Sequence, residues 1–259
     1  MYNPSQPWRS SLLGAASSTG FLPSDVSGLK LWVDNSNLST LLNPSGLPVS
    51  DGDRVATWLD KSGLGNDLTQ SVSTARPTYR ATAGGRPSIE TFSTGVFEVL
   101  THADSTDFDY TTCGLYVGCM IETPGGLQSP YGKYLPSGNQ REIQLTASAT
   151  PNFIVTTSQD GTSGTLTTAT TASNPSTSAV VLSMRWNGTT VTAQMNSDTV
   201  ATSTPAAIFP GTAAVTLGAL DGAVNPYKGY IYGAAWYGAI PSDAQHTQIV
   251  NYFRSISGA

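Results

Sequence analysis

The chain has 259 residues, of which 11% are charged and 39% hydrophobic, and its formal net charge is −5. This length fits one large domain or two small ones, and a single core of this size needs no disulfide support. No run of basic residues is present to neutralise phosphates, so the composition argues against nucleic-acid binding. No apolar run reaches the roughly 18 residues of a membrane span, and the first residues do not have the pattern of a secretory signal.

The first 24 residues differ in composition from the rest of the chain. They are rich in Ser, Pro, Gly and Ala, which is typical of an arm or a linker. Four apolar residues interrupt this composition: Trp8, Leu12, Leu13 and Phe21. The pattern predicts an anchoring arm over 1–24 that docks on a partner or on its own domain, followed by one domain over 25–259.

Short runs rich in Val, Thr and aromatic residues begin at Leu29 and are separated by Gly, Pro, Asn or Asp. The runs lie at 28–34, 54–60, 88–93, 114–122, 141–147, 152–158, 179–186, 189–196, 214–220 and 230–238. Asn187-Gly188 between two such runs predicts a hairpin with a type I′ turn. The expected fold is all-β: a two-sheet antiparallel β-sandwich of the jelly-roll type.

In the run 54–60, the alternation places Val55, Thr57 and Leu59 on one face of a strand and Ala56 and Trp58 on the other. Two cysteines lie further along, at Cys113 and Cys119. On one strand they would be about 20 Å apart, too far for a disulfide, so we expect two free buried thiols.

One short helix is predicted at the C-terminal end. Ser242 and Gln245 have the spacing of a capping box, and Gly258 provides a stop. Its apolar face consists of Ile249, Tyr252, Phe253 and Ile256. We expect this helix to cover a sheet edge or the mouth of the sandwich, and we expect His246 to lie on its exposed side.

The stretch WLDKSGLGNDLTQ at 58–70 contains a glycine loop. A phosphate-binding loop would place its lysine after the glycines, but Lys61 precedes them. A calcium-binding EF-hand loop would need an oxygen ligand where Leu64 stands. We therefore interpret the loop as a sheet corner, in which glycines adopt positive φ and polar side chains bind local backbone donors: Gly63, Gly65, Asp60, Asn66 and Asp67.

The same loop, followed by Arg-Pro-Thr-Tyr at 76–79, resembles the opening of concanavalin A-like lectin/glucanase (LamG-type) jelly-roll domains. The closing segment at 227–253 and the paired strands around Asn187-Gly188 are similar to the same family. The resemblance covers about 25–256 and implies a concanavalin A-like sandwich. It does not decide the function, because lectins, hydrolases and scaffolds share this fold.

Catalytic motifs are missing from the sequence. Glycosidases need two carboxylates about 5–10 Å apart, and the glucanases of this fold carry them as Glu-x-Asp-x-Glu. None of the four glutamates begins that motif: Glu90, Glu98, Glu122 and Glu142. No Gly-x-Ser-x-Gly elbow is present, and His102 and His246 are the only histidines. We therefore expect a protein that is not an enzyme, with a glycan-active hydrolase as an alternative.

Acidic residues cluster in HADSTDFDY, beside His102. Two interpretations stay open for Asp104, Asp107 and Asp109: a Ca²⁺ site built from carboxylate oxygens, or a polar loop in which aspartates hold turns. No other cofactor is predicted.

Two Gly/Pro-containing segments are predicted to be loops that present aromatic and polar side chains. Such side chains can bind a sugar or a partner protein, or form the ordinary rim of a sandwich. The candidates are Tyr131, Lys133, Tyr134, Asn139 and Arg141 in the first segment, and Asn225, Tyr227 and Lys228 in the second.

The arm, the compact domain and the Ser/Thr-rich, weakly charged composition together favour a virion-surface structural protein of a tailed phage. It would be a capsid decoration (head-fibre) subunit or a tail appendage, homo-oligomeric, with a capacity for adhesion to host glycans. It would be assembled in the host cytoplasm and located on the virion surface, bound through its arm to other virion proteins. The alternative hypothesis, from a different functional class, is a carbohydrate-binding module or adhesin of a bacterial surface protein.

Overall fold

The computed structural model describes residues 20–82, 85–92, 97–122, 125–148, 152–172, 177–222 and 224–259. These residues form strands, short 3₁₀ turns and one α-helix, α1 (Asp243–Ser257). In chain order the strands are β1 (Leu29–Asp34), β2 (Leu41–Leu42), β3 (Thr57–Trp58), β4 (Leu68–Thr69), β5 (Thr78–Arg80), β6 (Ser88–Thr91), β7 (Leu100–His102), β8 (Cys113–Ile121), β9 (Leu127–Leu135), β10 (Gln140–Ser148), β11 (Phe153–Ser158), β12 (Leu166–Thr170), β13 (Val180–Trp186), β14 (Val191–Met195), β15 (Ala201–Ser203), β16 (Val215–Leu217) and β17 (Gly229–Tyr237).

The strands form two antiparallel sheets. Sheet A has the order β15-β14-β13-β8-β17-β6-β5, and β1 pairs with β17 as its eighth strand. Sheet B has nine strands in the order β12-β11-β10-β9-β16-β7-β4-β3-β2. The predicted all-β sandwich of the jelly-roll type with a C-terminal helix is confirmed.

The main core lies between the two sheets, and period-two alternation fills it. In β11, Phe153 and Val155 are fully buried in the core, whereas Ile154 and Thr156 are half-buried on the outer face of sheet B. This alternation leaves one face of sheet B free of core side chains, as is common in antiparallel sheets.

A second hydrophobic cluster lies on the outer face of sheet A, beneath α1. Ile249, Val250 and Phe253 of the helix pack there against Tyr116 and Val181 of the sheet. The expectation that the helix covers an edge or the mouth is therefore wrong. Because β8 and β17 are buried almost along their whole length, sheet A needs a cover on its outer face as well as its inner one. The predicted capping box is present, and Gly258 ends the helix with φ 81°.

His246 is buried, so its predicted exposed position is also wrong. Its Nδ1 lies 3.1 Å from the Tyr116 hydroxyl, and its Nε2 lies 2.8 Å from Gln194 Oε1. Burial, together with the nearby Arg185 guanidinium, lowers the pKa of His246 to about 4. The neutral imidazole therefore connects the helix to sheet A through two polar contacts.

Two local strand predictions need correction. The strand in 54–60 covers only Thr57–Trp58, and Val55 and Trp58 both enter the core because the backbone is irregular before the strand. The β13–β14 turn spans residues 187–190 and pairs Trp186 with Val191. Only Gly188 has a positive φ there, so the turn is not type I′. Asn187 Oδ1 instead accepts from the backbone N–H groups of Thr189 and Thr190.

The loop at 58–67 is a sheet corner, as predicted. The Asp60 carboxylate accepts from the backbone N–H groups of Trp32, Ser62 and Asn66. Asp67 Oδ1 accepts from the Asp60 N–H at 2.7 Å. Gly63 and Gly65 have φ of 88° and 78°, which glycine adopts without steric cost.

The N-terminal boundary is only partly described. Trp8, Leu12 and Leu13 lie outside the described residues. Phe21 is half-buried and packs against the cluster beneath α1, and the Tyr237 hydroxyl donates to Pro23 O at 3.0 Å. Phe21 and Pro23 thus pack on the domain itself, and the anchoring arm over 1–24 stays a prediction. None of the described helices is long and apolar enough to cross a membrane.

Candidate functional site

A groove of about 450 Å³ lies across one end of sheet B. Such a volume is within the range of about 300–1,000 Å³ that is typical of small-ligand sites. Strands β9 to β12 supply most of its surface, and the segments that follow β9, β11 and β16 supply the rest. Its described lining consists of Leu127, Tyr134, Pro136, Arg141, Gln144, Thr146, Ile154, Thr156, Ser163, Leu166, Thr168, Leu220 and Asn225.

The groove has a polar floor built around Gln144, which is only 6% exposed. One end of its side-chain amide donates to Ser129 Oγ at 3.0 Å and to Thr146 Oγ1. The other end has no hydrogen-bond partner among the described residues. Because this amide oxygen is not among the fully buried polar atoms that lack a partner, it is accessible from the groove and can accept a hydrogen bond from a ligand hydroxyl or from water.

The walls combine apolar and hydroxyl side chains. Ile154, Leu166 and Leu220 line the groove beside Thr156 and Thr168. Leu127 is 52% exposed at the rim, and Thr168 is exposed on the edge strand β12. Alternating apolar and hydroxyl groups match the faces of a sugar ring, which carries C–H groups and hydroxyls side by side.

Tyr134 and Arg141 are directly opposite each other in the β9–β10 register and form one end of the groove. Burial raises the pKa of the Tyr134 hydroxyl, and the adjacent Arg141 guanidinium partly opposes this. Arg141 Nη1 donates to Asn139 Oδ1 at 3.1 Å and to Gly161 O at 3.2 Å. This end therefore carries an aromatic ring and a cation.

The structure separates the predicted ligand-binding residues into two groups. Tyr134, Arg141 and Asn225 line the groove, and Asn139 is exposed beside Arg141. Tyr131, Tyr227 and Lys133 are fully buried, so their predicted exposure to a ligand is wrong. For Tyr131 and Lys133 the reason is that 127–135 is not a loop but strand β9, whose alternate side chains point into the core. Tyr227 precedes β17 and packs in the main core. Lys228 lies over the Phe92 ring, 4.5 Å from its centroid.

Lys133 occupies the place that the calcium interpretation gave to a metal. Its ammonium lies 2.9 Å from Asp104 Oδ1, 2.8 Å from Asp109 Oδ1 and 2.7 Å from Glu142 Oε2. Asp107 lies apart from these and pairs with Lys30 at 2.6 Å. Within the described ranges no group of three His, Cys, Asp or Glu side chains is placed to hold a metal ion. The geometry therefore favours the polar-loop interpretation of the three aspartates.

The four glutamates lie outside the groove lining and are dispersed. Glu98 is buried against Arg54, and Glu142 is buried against Lys133. Glu90 pairs with Arg80, and Glu122 accepts from the Tyr230 hydroxyl. Burial raises the pKa of Glu142 to about 8, with Lys133 opposing this effect.

The cysteines are buried and free, as predicted. Both lie on β8, and burial raises the pKa of both thiols, that of Cys119 to about 12. A thiol with a raised pKa is a poor nucleophile, so these side chains pack the core.

Most of the groove residues were not identified from the sequence. The alternation in NFIVTTS correctly separates Ile154 and Thr156 from the core-facing residues. Nothing in it shows that this outer face stays open while that of sheet A is covered by a helix. Gln144 and Leu166 gave no signal of their own.

The comparisons with known proteins support the fold and leave the function open. No protein-family model matches this chain, and no curated protein matches its sequence. The binding domain of Paraclostridial Mosquitocidal Protein 1 is similar over 89% of this chain, with a TM-score of 0.61 and 10% identity. A GH54 α-L-arabinofuranosidase is similar over 88%, with a TM-score of 0.60 and 13% identity.

A partial likeness extends to the CBM40 module of Ruminococcus gnavus IT-sialidase bound to α2,3-sialyllactose. It covers 54% of this chain and 82% of that module, with 17% identity and a TM-score of 0.46, which is too low to carry an inference. This chain spans 53% and 63% of the lengths of the toxin domain and the arabinofuranosidase. At these identities the likeness shows a shared β-sandwich, consistent with the concanavalin A-like jelly-roll fold.

Proposed function

We propose that this chain is a carbohydrate-binding β-sandwich whose ligand lies in the groove across β9 to β12. The single observation that carries the proposal is the makeup of the groove. The Gln144 amide, whose oxygen has no partner among the described residues and is accessible from the groove, lies between threonine hydroxyls and aliphatic walls. Polar groups at fixed positions within a mainly apolar cleft are the usual arrangement of a small-ligand site.

Fold-level analogy agrees with this proposal without deciding it. The structures similar over most of this chain include a binding domain and a glycosidase. Carbohydrate binding is the function of the alternative hypothesis drawn from the sequence, a carbohydrate-binding module or adhesin. No observation on the described residues favours the virion-surface role, the homo-oligomer or the location over any other, so these stay predictions.

We propose binding rather than hydrolysis. Glycoside hydrolysis needs two carboxylates at the scissile bond, and Arg141 is the one charged side chain among the described residues that line the groove. A sugar placed there would meet hydroxyls, an amide, a tyrosine and a cation, which bind and orient but do not supply the acid and base of a glycosidase.

The proposal is tested by a screen of neutral and acidic oligosaccharides with the full chain. Thr168→Trp places an indole at the exposed rim of the groove, and Thr202→Trp is the matched control, an exposed threonine on the edge strand β15 of sheet A. We expect Thr168→Trp to weaken binding by at least about tenfold and Thr202→Trp to leave it unchanged. Absence of binding to any oligosaccharide, or an equal loss in both variants, would contradict the proposal.

A further inference from the structure

Arg141 has no described carboxylate as a partner, although the chain is acidic. Three other basic residues near sheet corners pair with carboxylates within 2.9 Å: Arg54, Lys61 and Arg80. Lys30, Lys133 and Arg185 do the same elsewhere. With 17 acidic and 12 basic residues in the chain, carboxylates are available to pair. The Arg141 guanidinium is instead held by neutral acceptors. Arg76, Arg86, Lys228 and Arg254 also have no carboxylate partner among the described residues, and Arg141 differs from them because it lines the groove.

Two turns hold Arg141 in place. Nη1 donates to the side chain of Asn139 and to the carbonyl of Gly161. Asn139 has φ 56° and Gly161 has φ 82°, and a Cβ on Gly161 would lie about 2.0 Å from Asn139 O. The two turns are therefore in direct contact, and only glycine at 161 permits this approach. A cation fixed in this way loses little side-chain entropy when it binds a ligand.

The bonds to Asn139 and Gly161 both use Nη1, and the guanidinium also interacts with the Tyr134 hydroxyl, out of five N–H groups in a planar fork. This fork matches a carboxylate in a bidentate arrangement better than a single hydroxyl. The Gln144 amide lies in the same groove and provides a second polar contact for the sugar hydroxyls.

We propose that the groove selects an acidic glycan, with Arg141 binding the carboxylate of a uronic acid unit. This inference rests on the proposed carbohydrate-binding function and specifies its ligand class. A carboxylate at Arg141 would supply the negative partner that the described chain does not, while the remainder of the sugar lies against the threonines and aliphatic side chains.

The test compares polygalacturonate with its methyl-esterified form of the same chain length, measured by titration calorimetry against the full chain. We expect the free acid to bind at least about tenfold more tightly than the ester, and this preference to shrink at higher salt because exposed charges are screened. Arg141→Gln should bring the two affinities within about twofold, and Arg141→Lys should keep part of the preference.

Arg254→Gln is the matched control. Arg254 is also a half-buried arginine, with a hydrogen bond to the main-chain oxygen of Ala259, and it lies on α1 on the far side of the sandwich. The inference is overturned if the ester binds as tightly as the acid, if Arg254→Gln reduces the preference as much as Arg141→Gln, or if neither polymer binds. The Thr168→Trp comparison distinguishes these failures from a failure of the proposed function. If a neutral glycan binds the native chain and Thr168→Trp weakens that binding, carbohydrate binding in the groove still holds although the preference for an acidic glycan does not.

Discussion

Replacing Lys133 tests whether it stabilises the fold or binds a ligand. The Lys133 side chain is fully buried and its ammonium contacts Asp104, Asp109, Glu142 and the Gly211 carbonyl. Lys133→Met keeps the aliphatic volume and removes the charge. Breaking a buried ion pair by removing one partner costs about 3–5 kcal/mol. For a domain of this size, that corresponds to a fall in melting temperature of roughly 6–20 °C.

The contribution of each carboxylate follows from its exposure. The Asp104 and Asp109 side chains are 28% and 35% exposed, so Asp104→Asn or Asp109→Asn should cost only about 0–1 kcal/mol each. Glu142 is 3% exposed, and a Lys133→Met/Glu142→Gln double variant should be more stable than the sum of the single losses predicts, because no buried carboxylate is left unpaired.

Urea unfolding followed by tryptophan fluorescence measures these losses, and glycan binding is measured on the same samples. We expect Lys133→Met to lose stability and to keep its glycan affinity wherever it remains folded. A Lys133→Met protein of unchanged stability that no longer binds glycan would refute this reasoning and would restore Lys133 as a ligand-binding residue.

Three further predictions concern the rest of the sandwich. The pKa of His246 is about 4 in the folded chain, below its ordinary value of 6.5, so the unfolded chain binds more protons between these two pH values. The free energy of unfolding should therefore fall as the pH drops from 6.5 to 4. Urea unfolding of His246→Gln should show a shallower fall. Phe253→Ala should cost about 3–5 kcal/mol in the same assay without changing glycan affinity, since Phe253 is on α1 and packs against the outer face of sheet A, away from the groove on sheet B; lost affinity in the folded variant would contradict this. Cys113 and Cys119 should react with a thiol reagent only on unfolding, and rapid labelling of the native chain would show that their burial is wrong.

The sequence predicted the architecture because local signals and the core pattern agree. Runs such as 114–122 and 230–238 carry strand formers and small residues between turn signals, and they became β8 and β17 almost residue for residue. The capping box at Ser242 and the corner built on Asp60 depend on contacts within a few residues, so spacing alone identified them.

The site was predicted less well because it depends on which face of each sheet is covered. Tyr131 and Tyr134 have the same composition signal, yet Tyr131 points into the core and Tyr134 into the groove. The face of the sheet toward which a strand residue points depends on the register of the strand. The pairing of β9 with β10 contains register shifts that the sequence does not reveal. The position of α1 on sheet A, which leaves sheet B open, likewise follows from long-range packing.

Lys133 shows a second limit of sequence reasoning. A lysine beside tyrosines and prolines was predicted to be an exposed ligand contact, and an acidic cluster about 30 residues earlier was given a calcium interpretation. In the structure these two features satisfy each other, because Asp104 and Asp109 neutralise the buried ammonium. Pairing between distant charges is not visible in composition or in spacing.

The most direct test of the central claim is a methyl NMR titration of the chain with the oligosaccharide that binds best in the screen. The account predicts chemical-shift changes at the methyl groups of Ile154, Leu166 and Leu220, which line the groove, and none at Ile249 or Val250, on the buried face of α1. Shift changes centred on the helix face, or on residues remote from β9 to β12, would contradict the assignment of the groove as the carbohydrate site.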